Sequence, residues 1–201
     1  MADIRGLLLC AGSSSRFGAP KLLATVQAPG APHVEAVAVL AARHLLEGCG
    51  NALAVVRAGD AKLRETLEMA GCDVLESDRS RNGMGESLAD GIARSPGADG
   101  WIVALGDMPF VAPRTIALVR SQIEIGVLIA APVNLHGRRG HPVGFSSTLK
   151  DELLGLRGDV GARLVVSHHK DELVPVPVED AGIFVDIDTP EALAHASAGR
   201  S

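Results

Sequence analysis

Residues 4–23, IRGLLLCAGSSSRFGAPKLL, decide how the rest of the chain is to be read. The apolar run through Cys10 is short and is cut at Gly12, the pattern of a strand buried on both faces. Residues 11–21 suit no regular element: they are mostly small, include three consecutive serines, and carry Arg16 and Lys21. Small residues let backbone N–H groups approach phosphate oxygens closely; Ser13, Ser14 and Ser15 add hydroxyl donors, and Arg16 and Lys21 add positive charge. In an α/β sheet the loop after the first strand lies at the carboxyl edge, where ligands bind. A Gly/Ser turn with two solvated cations fits the same composition. Two familiar phosphate loops are excluded: G-x-G-x-x-G is absent, and Ala19 stands where a Walker loop needs Lys after Gly18.

Working outward, residues 34–47 place Val34, Val37, Ala41 and Leu45 on one face at spacings of three and four, which predicts a helix. Strand 52–56 precedes a helix over 61–71 ending near Gly71, and 72–76 reads as the next strand. A short helix at 86–95, weakened by Gly91, leads to strand 101–105, and Pro113 opens a helix running to 123. This βαβα alternation predicts a mostly parallel sheet with helices on both faces. After residue 125 the pattern loosens: strands at 127–132 and 141–145, short helices at 150–156 and 161–169, and an edge-type LVPVPV at 173–178. The expectation is a single three-layer Rossmann-like α/β domain over 1–201. Its nucleotide-binding part covers about 1–125, and a less regular acceptor-binding and closing part covers about 126–201.

The bulk numbers narrow the partners. With 201 residues, 47 % hydrophobic and 21 % charged, the chain is globular in composition, and no apolar run reaches the roughly 18 residues of a membrane span. The early Asp3 and the lack of a basic leader point to a cytoplasmic protein. Cys10, Cys49 and Cys72 show neither C-x-x-C spacing nor an even count, so they read as buried thiols. A net charge of -5 and an aromatic set of one Trp and four Phe argue against nucleic acid as a partner.

The segment LLLCAGSSSRFGAPKLL resembles the leading motif of nucleotidyltransferases. NGMGESLADGI (82–92), ALGDMPFV (104–111), RGHPVGF (139–145), GDVGAR (158–163) and DIDTPEAL (186–193) then resemble, in order, motifs of the molybdenum cofactor cytidylyltransferase (MocA-like) family within the MobA-like group. The resemblance covers most of residues 6–195 and implies a nucleotidyltransferase domain. It implies transfer of CMP from CTP to the phosphate of a molybdenum-bearing molybdopterin, with release of pyrophosphate. The product would serve a xanthine dehydrogenase-type apo-enzyme. A guanylyltransferase for the same cofactor and a cytidylyltransferase for a sugar or polyol phosphate share the leading motifs. A non-catalytic cofactor-delivery chaperone is the reading from another class.

The resemblance also distributes roles. Cys10, Ala11, Gly12, Ser13, Ser14, Ser15, Arg16, Phe17 and Lys21 would cradle the nucleotide, and Arg16 and Lys21 would balance charge during transfer. Asn82, Gly83, Gly85 and Ser87 would bound the base and ribose, though Ser87 also reads as a plain helix cap. Asp107 follows strand 101–105 at the ligand-binding edge and would hold Mg²⁺, which needs only one or two carboxylates beside phosphates. Strand alternation sends Asp186 and Asp188 to one face, and similarity favours Asp188 as the second metal ligand. Arg139 and His141 would meet the acceptor phosphate, with Arg138 and Arg163 nearby, whereas His168 and His169 show no ligand spacing. Cys10 replaces a commoner Ala, and residues 25–33 lack the usual approach to the first helix.

Overall fold

The computed structural model describes residues 2–12, 20–27, 33–189 and 191–193. Seven strands form the main sheet: β1 (Ile4–Leu9), β4 (Leu53–Arg57), β5 (Asp73–Ser77), β6 (Gly100–Leu105), β7 (Ile129–Val133), β8 (Val143–Ser146) and β9 (Leu173–Pro177). Their order is β5-β4-β1-β6-β8-β7-β9, parallel throughout except β8, which runs against both of its neighbours. The sheet is therefore mostly parallel, as the βαβα pattern predicts.

Side-chain alternation builds the three layers. Ile4 and Leu8 of β1 and Ile102 of β6 face one core, shared with helices α1 (Val37–Cys49), α2 (Ala61–Met69) and α4 (Pro113–Glu124). Leu7, Leu9, Trp101 and Val103 face the opposite core, shared with α3 (Met84–Arg94), α5 (Lys150–Leu154) and α6 (Arg163–His168). A strand that feeds two cores is apolar on both faces, which is why Leu7–Leu9 of β1, beyond the exposed Arg5, reads as a continuous run rather than an alternating one. Helix ends follow local chemistry: the Asp60 carboxylate accepts from Leu63 N at 3.2 Å at the start of α2, and Pro113 begins α4. Gly91, unfavourable for a helix, sits where a Cβ would lie 3.2 Å from Val55 and 3.4 Å from Leu7, so its lack of a side chain lets α3 settle on the sheet.

One expectation is corrected. Residues 34–36 are not the first turn of a helix; they form β3 (Val34–Ala36), paired antiparallel with β2 (Thr25–Gln27) in a separate two-stranded ribbon, and α1 begins at Val37. Cross-strand pairing with Gln27 and Val26 outweighs the helical spacing of Val34.

The antiparallel strand matters most for the site. Val143, the first residue of β8, pairs with Val103 near the carboxyl end of β6. The loop entering β8 therefore lies on the same edge as the loops leaving β1, β4 and β6. Parallel β7 and β9 also deliver their exits to that edge. Among the described residues no helix is long and apolar enough to cross a membrane.

Candidate active site

Lys21 lies in the centre of that edge, in a short 3₁₀ turn (Lys21–Leu23), with only 7 % of its surface exposed. Its Nζ donates to Asp107 Oδ2 at 2.8 Å and to Asp188 Oδ1 at 2.6 Å. Burial pulls the Lys21 pKa down, but hydrogen bonds and charge from Asp107 and Asp188 outweigh it, so the pKa is raised and the ammonium stays charged. Asp186 joins the same acidic group. Burial raises its pKa, a backbone hydrogen bond opposes this, and the charges of Asp188 and Asp107 add to the rise.

Two remote acids meet here because their loops are locked together. The Asp180 carboxylate accepts from Ala112 N at 2.9 Å, Thr115 Oγ1 at 2.6 Å and Gly182 N at 2.9 Å, pinning the chain after β9 to the loop after β6. Ile187 N then donates to the Asp107 carbonyl at 2.9 Å, placing Asp186 and Asp188 on either side of that contact. The carboxyl oxygens that share Lys21 are within the sum of two hydrogen bonds of each other.

A cavity of about 410 Å³ opens beside this cluster. Cys10, Ala11 and Gly12 line it from β1, Lys21 and Asp107 from the charged end, and Gly83 and Ser87 from the start of α3. Ser13, Ser14, Ser15, Arg16 and Phe17 lie outside the described residues. Cys10 is a buried thiol whose pKa is raised, first by burial and then by the charges of Cys72, Asp107 and Asp60, so it presents a neutral wall. Gly85 does not open into the cavity; it packs against the backbone of Arg157 and Gly158. Asn82 ends a 3₁₀ turn (Arg79–Asn82) and is not among the lining residues.

Gly83 sets the shape of this wall. Its φ of +130° is a left-handed-side conformation, and a Cβ there would lie 2.3 Å from the Gly158 carbonyl carbon. Behind it, Arg79 bonds Glu86 and Asp90, and Ser77 Oγ donates to Asp90 at 2.5 Å, fixing the turn onto α3. Ser87 Oγ donates back to the Gly83 carbonyl at 3.3 Å, so it closes the helix start as well as lining the cavity.

A second cavity of about 280 Å³ shares Leu9, Met84 and Leu105 with the first and adds Arg139, His141 and Arg163. The His141 amide donates to the Ile183 carbonyl at 3.1 Å, and Gly140 N to Pro132 at 2.9 Å, which holds the loop between β7 and the 181–184 turn. Burial lowers the His141 pKa against the Asp107 charge, with Arg139 and Arg163 adding to the fall, so its ring is neutral near pH 7. Arg138 instead lies 4.3 Å from the Phe184 ring centre. His169 bonds Glu172 and Glu152, each at 2.9 Å, and takes no part in either cavity.

Arg57 and Asp159 line the first cavity although the sequence reading gives neither of them a role. Arg57, last in β4, donates to the Ala11 carbonyl at 3.3 Å and faces the first cavity, as does Asp159. Asp159 lies within GDVGAR (158–163), a motif of the resemblance that assigns this residue no role, whereas Arg57 lies in none of those motifs. For Arg57 the available signal is its position at a strand's carboxyl end, next in the sheet to β1.

The seven-stranded, mostly parallel sheet with helices on both faces is the α/β nucleotidyltransferase fold. The chain belongs to the MobA-like NTP transferase domain family, which matches residues 6–173. It is 32 % identical over 115 residues to the purine catabolism protein PucB of Bacillus subtilis (strain 168), a match covering 56 % of this chain and 55 % of PucB. The matched region thus spans about half the length of that relative. The crystal structure of Rv0371c from Mycobacterium tuberculosis H37Rv superposes with a TM-score of 0.81 at 27 % identity, covering 98 % of this chain and 97 % of the other. A manganese complex of Rv0371c gives a TM-score of 0.78 at 25 % identity, over 98 % of both chains.

Proposed function

We propose that this protein transfers CMP from CTP to the phosphate of a molybdenum-bearing molybdopterin, releasing pyrophosphate, as one cytoplasmic domain over residues 1–201. The observation that carries the reading is Lys21 held 2.8 Å from Asp107 and 2.6 Å from Asp188, facing a nucleotide-sized cavity. A buried ammonium at this point offsets charge on phosphates brought to the same edge. The acceptor's phosphate is already ionised near neutral pH, so no protein nucleophile is required. Its oxygen bonds to the α-phosphorus while the bond to the bridging oxygen of the β-phosphate breaks, and the electron pair leaves with pyrophosphate. The chain's task is to align two anions and stabilise their charge.

The donor set fits a hard divalent cation. Among the described residues no group of three or more His, Cys, Asp or Glu is arranged to hold a metal. Mg²⁺, however, commonly takes one or two carboxylates and completes its shell with phosphates and water. Asp107 and Asp188, both partly open to solvent, would hold it, with Asp186 adjoining. When bound, the ion would supply charge neutralisation at the phosphates. The manganese complex of Rv0371c supports divalent-metal use.

Cys10, Ala11, Gly12 and the serines with Arg16 and Phe17 would receive the triphosphate. Gly83 and Ser87 would bound the base and ribose, with Asn82 and Gly85 as supports. Arg139 and His141 would receive the acceptor phosphate. The name of PucB ties that relative to purine catabolism, which supports a xanthine dehydrogenase-type apo-enzyme as recipient of the product.

The test supplies CTP, GTP, ATP or UTP with Mg²⁺ and molybdenum-loaded molybdopterin, and follows pyrophosphate release and product mass. A cytidine dinucleotide is expected. Preference for GTP overturns the base assignment, and turnover only with sugar or polyol phosphates overturns the acceptor. Nucleotide binding with no turnover of any acceptor overturns catalysis in favour of a delivery protein.

A further inference from the structure

Asp159 is a carboxylate in an unexpected place. It lines the same cavity as Lys21 and Asp107, yet that cavity is proposed to take a triphosphate, which repels a third acid. Its backbone is fixed. Asp159 belongs to a 3₁₀ turn (Gly158–Val160) entered and left through left-handed glycines, Gly158 at φ +64° and Gly161 at φ +58°. A Cβ on Gly83 would lie 2.6 Å from Asp159 N, so this turn rests directly on the start of α3. Arg157 anchors the approach by donating to the carbonyls of Leu154 at 2.9 Å and Leu156 at 2.6 Å.

The carboxylate itself is exposed, and among the described residues no hydrogen bond or ion pair engages it. An ionised carboxylate only accepts hydrogen bonds. Phosphates have no hydrogens to offer, so the part of a nucleotide that fits Asp159 is neutral and rich in O–H or N–H donors. Gly83 and Ser87 border the same end of the cavity, and the two carboxyl oxygens of Asp159 match the two neighbouring hydroxyls of a ribose.

We infer that Asp159 is a specificity-determining residue whose carboxylate accepts hydrogen bonds from the ribose hydroxyls of the nucleoside triphosphate, selecting ribonucleotides over deoxyribonucleotides. This rests on the nucleotidyltransferase reading of the cavity. A site built around a hydroxyl rejects the analogue lacking it because its own acceptor is left unsatisfied.

The experiment measures Kd and turnover for CTP, 2′-deoxy-CTP, 3′-deoxy-CTP and UTP in wild type, Asp159→Asn and Asp159→Ala, with melting temperature as the check on folding. Wild type is expected to favour CTP over either deoxy analogue by about tenfold or more. Asp159→Ala should bring that ratio close to one while leaving the CTP to UTP ratio unchanged, and Asp159→Asn should fall between. A ribo-to-deoxy ratio unchanged in folded Asp159→Ala overturns the inference alone, as does a shift confined to the CTP to UTP ratio, which would make Asp159 a base reader. Wild type that binds none of the four nucleotides overturns the nucleotidyltransferase reading and this inference with it.

Discussion

The two halves of the sheet are built on different plans. From β5 to β6 every neighbouring pair is parallel, and each connection is a crossover helix that returns the chain to the same edge. From β6 outward the order becomes β8-β7-β9, with β8 reversed. The regular half places its loops by repetition: each strand exit is a new wall of the nucleotide-sized cavity. The reversed strand does something the crossovers cannot, since it brings a strand entry, with Arg139 and His141, to an edge otherwise made of exits. One plan yields a repeated rim of strand exits around the first cavity, and the other adds a differently shaped neighbouring cavity.

The seam between the halves carries the largest expected effect. Asp107→Ala should lower pyrophosphate release by about 10² to 10³, the scale of losing a charge-stabilising group, while the thermal transition keeps its cooperativity. If activity survives, the seam is not the reaction centre and the comparison breaks.

Gly83→Ala tests whether the regular half depends on a single backbone position. The substitution meets both a left-handed φ and the Gly158 backbone, so stability should fall by about 1–3 kcal/mol in chemical denaturation. CTP affinity in titration calorimetry should fall by about tenfold or more if the wall moves by an ångström. A normal Kd for CTP would show that this wall is not where the nucleotide lies.

Arg163→Ala sharpens the division of labour. KM for the acceptor should rise about tenfold, as for a lost charge-assisted hydrogen bond, with KM for CTP unchanged. A rise in KM for CTP alone would place nucleotide in the second cavity and reverse the assignment of halves.

The smallest effect is on pH. Burial lowers the His44 pKa from its ordinary 6.5, against the Val111 backbone and nearby Glu47 and Glu35, and with Arg43 adding to the fall. The unfolded chain therefore binds the proton first as pH drops. Stability is fully present above 6.5 and is lost as pH falls from 6.5 toward the lower folded-state value, with a slope of at most one proton from this residue. His141 acts in the same direction. His44→Leu should reduce the slope between pH 7 and 5 in denaturant titrations; an unchanged slope would assign it to other groups.

Sequence made the regular half readable because its central strands carry largely apolar runs, separated by helices with clear spacing and, at α2, an Asp60 cap. It could not give strand direction: VGF at 143–145 looks the same run either way, so β8's reversal had no local signature. The β2–β3 ribbon was hidden because Val34 and Val37 satisfy helical spacing while Val34 pairs across to Gln27. Within the site, Lys21, Asp107 and Asp188 stood in recognisable motifs, and the structure brings the three together. Arg57 lay outside every motif, and Asp159, though inside GDVGAR, had no role, because their placement depends on which strand neighbours β1 and on a turn packed against Gly83, both non-local facts.

The clamp made by Asp180 has a practical meaning for anyone who cuts or recombines this family. The family match stops at residue 173, where β9 begins, fifteen residues short of Asp188. A fragment trimmed to that boundary would keep Lys21 and Asp107 but lose Asp180 and Asp188, and a chimera joined there would take its second acid from a foreign tail. Only a donor that supplies the GDMPFVAP loop and its matching tail as one cassette keeps the partners of the Asp180 carboxylate together.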